Sequence, residues 1–590
     1  MEKQAANTKM IAKLMMKLLP IQILLAAVTA VNGIVSSFYA SNFISVDSMS
    51  AIGLYGPINM LITAINMTMV GGSVILCGKY MGQFEQEKMR NVFSLSLVIS
   101  AIIGIVFTVL FVIFGAFDLT GFLAKDPVLR PLFNQYLLGM SIGVFPLVVG
   151  NQLQAFLSME NKGNRTLVAI GVYIFLNIVL NFLFVLVLKM EIFGLALASS
   201  IGLWAFFLVQ APYFFSKKSH LKFSMKGLAW KESGAILRIG FPAASARVYE
   251  TIRGLIVNAL LLAYVGSVAL SAFAAVDSLL RIFWAIPFGM QAVSRMLMSV
   301  SVGEEDRRTL ADIMRVMFTR YVPLMCAVSA LLIIFAVPLT RIFYRDPADP
   351  VYMMTVWGLR LIPVCMPLST IAIHFINYGQ ASGKDVLVNI LSLFDGAVFV
   401  AGFTALLIPA LKMNSVYIAN ILNGVGCILI CVIYALIRKK HFPRSMDDLM
   451  VIPDDFGVTD DERMDLSIRS IEDVVTISQR VQAFCEEKGI DAHRSYLAGL
   501  AMEEMAGNIV DHGFTKDKKK HSVDVRVVHK DNDLILRLKD DCVPFDPRER
   551  QKIADPDDVT KNIGLRMIFK MAEDIQYQNI LGLNVLTIKV

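Results

Sequence analysis

From about residue 14 to Arg438 the chain is a succession of apolar runs, each long enough to cross a bilayer, which takes roughly 20 residues per helix. After Arg438 come about 150 residues with charge spread throughout and ordinary strand and helix periods, a normal length for one soluble domain. These two stretches demand different solvents. The expected architecture is an all-α polytopic membrane bundle over 1–440, a linker over 441–462 and a water-soluble α/β sandwich over 463–590.

The 56% hydrophobic and 17% charged residues are averages over these two unlike parts. None of the seven cysteines forms a CxxC pair, and Cys77, Cys326, Cys365, Cys427 and Cys431 lie in or beside apolar runs, where they read as small packing residues. The formal charge of +7 does not point to nucleic acid, because the basic residues collect in short loops between apolar runs.

Twelve spans are expected, at about 14–41, 51–79, 91–116, 131–157, 166–188, 192–215, 233–265, 272–300, 318–344, 351–380, 386–408 and 414–437. Lysine and arginine favour one set of alternating loops, including Lys79, Lys88 and Arg90, then Lys162 and Arg165, then Arg307 and Arg308, then Arg438, Lys439 and Lys440. By the positive-inside rule that set is cytosolic, which places both termini and the soluble domain in the cytosol of a multi-pass cell-membrane protein. The first span follows a basic leader, but its length and the spans after it read as a retained helix.

The membrane part repeats itself. Pro20 recurs as Pro242, Gly82 as Gly303, Gly163 as Gly383 and Lys189-Met190 as Lys412-Met413, at offsets of 220 to 223 residues. Two six-helix halves follow, about 14–215 and 233–437, and an even number of spans per half makes them parallel repeats about an axis near the membrane normal. The cleft between them is the expected substrate path.

In this layout, in the glycine followed by acidic and basic residues after spans two and eight (MGQFEQEKMR, VGEEDRRTL), and in the SMENKGN and GQASGKD turns after spans four and ten, the chain resembles the multidrug and toxic compound extrusion (MATE) transporters. The resemblance covers about 14–437. It implies a V-shaped bundle that opens alternately to either side and exports amphipathic small molecules against an inward flow of sodium ions or protons.

Charges inside spans should then be working parts, since a lone charge at mid-bilayer costs at least about 2.5–3.5 kcal/mol. Glu250 lies between Arg247 and Arg253, three residues away on either side, and Asp277 precedes Arg281 by four. Asp395 lies in span eleven, with His374 of span ten a guessed neighbour. The alternative for each is a self-satisfied pair, which is the preferred reading for Asp277; Glu250 and Asp395 stay open as coupling candidates. Many bacterial relatives carry an aspartate in span one, where this chain has Asn32. An amide cannot titrate, so proton coupling through span one is not expected. Asn32, Asn177 and Asn181 offer oxygens for sodium, against the plainer reading of interhelical hydrogen bonds.

The soluble head reads as a strand near 463–468, helices near 470–488 and 491–512, strands near 522–529 and 533–539, a helix near 562–574 and last strands near 575–580 and 583–590. Glu504, Asn508 and His512 follow one another at four-residue steps, one stripe of an apolar helix. An acidic residue and an asparagine so spaced can hold oxygens around hydrated magnesium.

The blocks EEMAGNIVDHG, DDCVPFDP and NIGLRMI, in that order, resemble the GHKL (Bergerat) ATP-binding fold of histidine kinases, Hsp90, gyrase and MutL, most closely its anti-sigma-factor serine/threonine kinase branch, over about 463–590. The resemblance implies ATP with Mg2+ as cofactors: Asn508 as magnesium ligand, Glu504 as general base, Asp540 on the adenine amino group, Gly564 at a helix start where N–H groups meet phosphate, and His512 within the block. It also implies a small cytosolic anti-anti-sigma-like partner. Cys542 stands where the first loop usually has glycine, and Lys561 and Asn562 replace the double glycine of the lid, restricting left-handed backbone there.

The resulting expectation is an ion-gradient-driven exporter with an ATP-binding-like regulatory domain, because the GxxxxGK[ST] phosphate loop of a transport ATPase is missing. Two competing readings stand beside it. One is a membrane-anchored serine kinase or switch whose spans sense a ligand; the other is a flippase for lipid-linked saccharides, which a basic cavity built from Arg247, Arg253 and Arg281 would favour.

Overall fold

The computed structural model describes residues 2–44, 46–124, 126–216, 219–225, 228–342, 344, 346–459, 461–514, 521–530, 532–544, 546–547 and 563–590. Within these, side chains are not described at 2–7, 28–38, 40–42, 46–47, 49, 122, 512, 563–565 and 580.

Residues 2–439 are helical almost throughout. Among the described residues ten helices are long and apolar enough to cross a membrane, eleven if Ser267–Phe283 and Ala285–Gly303, bent by 42°, form one span. The expected span at 233–265 is present as the 32-residue helix Ser233–Tyr264, which falls outside that apolar set. Its charges, Arg238, Arg247, Glu250 and Arg253, are the physical reason.

The glycines that marked the repeat meet each other. A Cβ on Gly82 would lie 2.3 Å from the carbonyl oxygen of Val300, and one on Gly303 would lie 2.1 Å from that of Lys79. Residues 82 and 303, and 79 and 300, stand in the same 221-residue relation, so spans two and eight touch reciprocally, as a twofold contact requires. Backbone approaches that close admit no side chain. Gly303→Val should therefore overpack the crossing, cost about 1–3 kcal/mol or more, and lower the melting temperature of the purified protein. Gly402→Val, at a glycine with open space around it, is the control expected to leave the melting temperature unchanged.

The head is a two-layer α/β sandwich. Its strands are β1 (Arg463–Ile468), β2 (Val523–Lys530), β3 (Asp533–Asp540), β4 (Asp574–Ile580) and β5 (Leu583–Lys589), and its helices α1 (Ile471–Glu487), α2 (Ala492–Gly513) and α3 (Ile563–Met571). The strands are antiparallel in the order β1-β2-β3-β5-β4. Alternation puts Val523, Val525 and Val527 of β2 and Leu534, Leu536 and Leu538 of β3 on the face that packs against α1 and α2. The other face presents Asp465, Asp524, Arg526, Arg537 and Lys539.

That polar face docks on the end of span eight, where Glu304, Asp306 and Arg308 pair with it. The stretch expected to be a linker is docked too. Met450 and Ile452 are buried in the bundle's core cluster, and Arg307 binds Asp447 at 2.7 Å and the Pro453 carbonyl at 2.8 Å. Two apolar side chains and the Arg307 contacts together hold this polar stretch down.

Candidate functional site

Three places gather the residues capable of chemistry. In the bundle, spans five and eleven are equivalent by the repeat, and each carries a π-turn, at Phe182–Val187 and Phe394–Val398, where the backbone ladder widens to i→i+5. Asp395 lies in the second. Its Oδ1 accepts a hydrogen bond from Asn423 at 2.8 Å and sits 3.8 Å from the Cys427 sulfur, while Arg253 reaches its backbone carbonyl at 3.3 Å. The guessed neighbour His374 instead bonds Ser294 at 2.7 Å and the Thr370 carbonyl. Asn423 and Cys427 were missed as partners, although their four-residue spacing in span twelve was a usable signal.

Asn177 and Asn181 lie just before the first π-turn. Asn181 donates to Asn177 Oδ1 at 2.9 Å and Asn177 to Ser199 Oγ at 3.1 Å, while Asn181 Oδ1 is buried without a partner among the described residues. Glu250 pairs with Arg247 at 2.6 Å, and Asp277 with Arg281 at 2.6 Å. Arg253 thus serves Asp395 rather than Glu250. The Asn32 side chain lies outside the described residues.

In the head, Asp540 ends β3 on the core face. Its Oδ1 accepts from Asn584 Nδ2 at 2.7 Å and from the Cys542 N–H at 2.9 Å. Asn584 is itself fixed, because its Oδ1 accepts from Tyr577 and Asn579, each at 2.8 Å. Burial pushes the Asp540 carboxyl above its ordinary value, with the Asn584 hydrogen bond pulling back. Asn584 went unrecognised in the sequence; a lone asparagine on the apolar face of β5 was the available signal.

The end of α2 reaches this turn, since a Cβ on Gly513 would meet the Cys542 sulfur at 2.9 Å. On α2, Asn508 donates its Nδ2 to the Glu504 carbonyl at 2.7 Å, which leaves its amide oxygen as the atom for a hard cation. Gly564 is the second residue of α3, which packs on α2. The His512 side chain and residues 561 and 562 lie outside the described set.

The third place is the seam between head and bundle. Arg526 binds Asp306 at 2.6 Å and Asp465 at 2.7 Å; Lys539 binds Glu304 at 2.6 Å; Arg308 binds Asp465 at 2.8 Å. Glu304 and Asp306 are only 2% exposed. These contacts hold the second half. The first half is held by Lys13 of span one, paired with Asp541, and by the β4–β5 turn, where a Cβ on Gly582 would lie 2.7 Å from Asn161.

A family model described as MatE matches residues 11–183 and 242–406, more than half of the chain. The chain belongs to the MatE family. A second model, described as histidine kinase-like ATPase domain, matches residues 469–590. This MatE protein is 29% identical over 149 residues to the "Probable multidrug resistance protein NorM" of Bacillus licheniformis, which is 22% of this chain and 33% of that one. The chain thus spans about a third of the length of the curated relative it matches.

Among solved structures, a multidrug resistance MATE family transporter in an outward-facing conformation superposes with TM-score 0.67 at 20% identity, covering 73% of this chain and 97% of that one. A Vibrio cholerae MATE transporter gives 0.67 at 16% over 74% and 98%, and a Pyrococcus furiosus MOP superfamily transporter 0.64 at 20% over 71% and 94%. At such identities the likeness is one of fold. This MatE-family chain is a multi-pass membrane protein with a C-terminal histidine kinase-like ATPase domain.

Proposed function

We propose that the chain exports amphipathic small molecules, driven by inward sodium or proton flow, with both termini and the head in the cytosol, and that the head binds ATP with Mg2+ to bias the two transport conformations. One observation carries the regulatory part: the head is tied to both halves at the end where Gly82 and Gly303 bring them together. A domain whose contacts differ between two conformations shifts their balance.

The donor set of the head suits the nucleotide. Asp540 is buried and oriented through Oδ1, so its other oxygen is the one an adenine amino group would meet, and the Asn508 amide oxygen suits magnesium. Bound Mg-ATP would bring phosphate charge to the start of α3. In the bundle, Asp395 with Asn423 is the favoured coupling pair. Pairing of Arg247 and Arg281 with their own carboxylates removes support from the saccharide-flippase reading.

In proteoliposomes, export of a fluorescent cationic dye should persist without ATP and collapse when the ion gradient is dissipated. Asp395→Asn should lower gradient-driven export by about tenfold or more, since a mid-membrane charge is lost. Export that needs ATP and ignores the gradient would overturn this reading.

A further inference from the structure

We propose that the seam between head and bundle is a second ligand site, built for a phosphorylated polyhydroxyl compound, a sugar phosphate or nucleotide, and separate from the cleft assigned to ATP. A cavity of about 400 Å³ lies there, walled by the polar face of β1–β3, by α1 and its leading residues, and by Lys9, Asp306, Arg308 and Thr309 of the bundle. That volume falls in the range of small-molecule sites.

The charges of this cavity do not balance. Its inner bases Arg308, Arg526 and Lys539 are answered by Asp465, Asp306 and Glu304. Lys9, Arg469 and Arg480 also line it, are exposed, and carry no ion pair among the described residues. Deeper in, the Asp524 carboxylate lies against the Ser467 hydroxyl, directly opposite it across β1 and β2, and the Arg537 Nε is buried without a hydrogen-bond partner among the described residues. Unpartnered buried polar atoms are costly.

The two features select one ligand chemistry. Three uncommitted bases suit a phosphate, whose oxygens accept charge-assisted hydrogen bonds. A buried carboxylate answered only by one hydroxyl keeps acceptor positions for the neighbouring hydroxyls of a ligand, as acidic residues do with ribose. A bare anion would meet repulsion from Asp524, and a bare cation from the three bases. A molecule with phosphate at one end and hydroxyl donors at the other satisfies both.

Such a ligand would touch the bundle through Lys9 and Arg308 and the head through Arg469, Arg480 and Asp524, so it would tighten the docking. It would also lie directly behind the ATP cleft. Lys539 and Asp540 are consecutive residues of one strand that point to opposite faces of the sheet.

The test is calorimetry on the full chain in detergent with ribose 5-phosphate, ribose and inorganic phosphate as probes. Ribose 5-phosphate should bind saturably and about tenfold or more tighter than either fragment. Arg469→Ala with Arg480→Ala should weaken it by about tenfold or more, and Asp524→Asn should reduce its advantage over inorganic phosphate to less than about threefold. Asn508→Ala should leave it unchanged, which separates this site from the ATP reading. AMP binding to the Asp540→Ala protein tells the nucleotide from the plain sugar phosphate: a gain of about tenfold over ribose 5-phosphate assigns the nucleotide, and equal affinity the sugar phosphate. Saturable binding of none of the probes, equal binding of phosphate and ribose 5-phosphate, or indifference to the arginine replacements would overturn the proposal.

Discussion

Replacing Arg526 with alanine is expected to release the head from the bundle. The guanidinium bridges Asp306 and Asp465 in the seam, where the Arg526 side chain is 12% exposed. Asp306, 2% exposed, would keep Lys539 at 3.5 Å and two hydrogen bonds from Thr309. Breaking a buried pair by removing one partner costs about 3–5 kcal/mol, and undocking rehydrates the stranded carboxylate, so the docking equilibrium constant should fall by about two to four orders of magnitude. Hydrogen exchange along β2 and β3, and protease cutting within 441–462, measure it. Unchanged protection in the Arg526→Ala protein would show that the seam does not hold the head.

The pH dependence of docking follows from two carboxylates of opposite behaviour. Burial alone would raise the Asp306 carboxyl, but Arg526 and then Lys539 outweigh it and hold it well below its ordinary value of 3.8. Its contribution is present above that ordinary value and is lost only as pH falls through the lower folded value. Asp524 behaves the other way, because burial pushes it up to about 6 and the Ser467 hydrogen bond and the nearby Lys539 and Arg308 do not offset this. The folded protein then takes up a proton that the unfolded chain does not, so stability rises as pH falls from 7 to 5, by about 1.3 kcal/mol. Asp524→Asn should remove that slope, as read from melting temperatures across the interval.

The second large effect is expected at Asp540. On the proposed reading Asp540→Ala removes the acceptor for the adenine amino group and strands the Asn584 amide that now donates to it. A hydrogen bond to a charged group is worth about 1.5–3 kcal/mol, so affinity for a fluorescent adenine nucleotide should drop by about 10- to 150-fold in the full chain. Asn584→Ala, which only lets the carboxylate turn, should give a smaller loss. Equal affinity in the parent and Asp540→Ala proteins would remove Asp540 from the nucleotide site.

The strands and helices of the head were legible because their apolar alternation is clean and their ends are marked. The Ser470–Asp473 capping box opens α1, and Asp491 caps α2. The repeat was legible through Gly82 and Gly303, which a close backbone crossing requires. Partners of buried polar groups were not legible. Asp395 drew a guess at His374, and the structure gave it Asn423 and Cys427. Local spacing says which face a side chain takes, while a bundle's helix order in space decides what it meets there.

The same limit separates what the chain's own residues determined from what tertiary structure alone decided. Periodicity and apolar length determined a duplicated helical bundle followed by a two-layer ATPase-like domain, because both signals are local. The alternation of β2 and β3 also determined that Asp524, Arg526, Arg537 and Lys539 share one face. It could not tell whether that face was wet. Charged strand faces usually meet water, and this one is covered only because Glu304, Asp306 and Arg308, more than 150 residues earlier in the chain, supply compensating charges at matching positions.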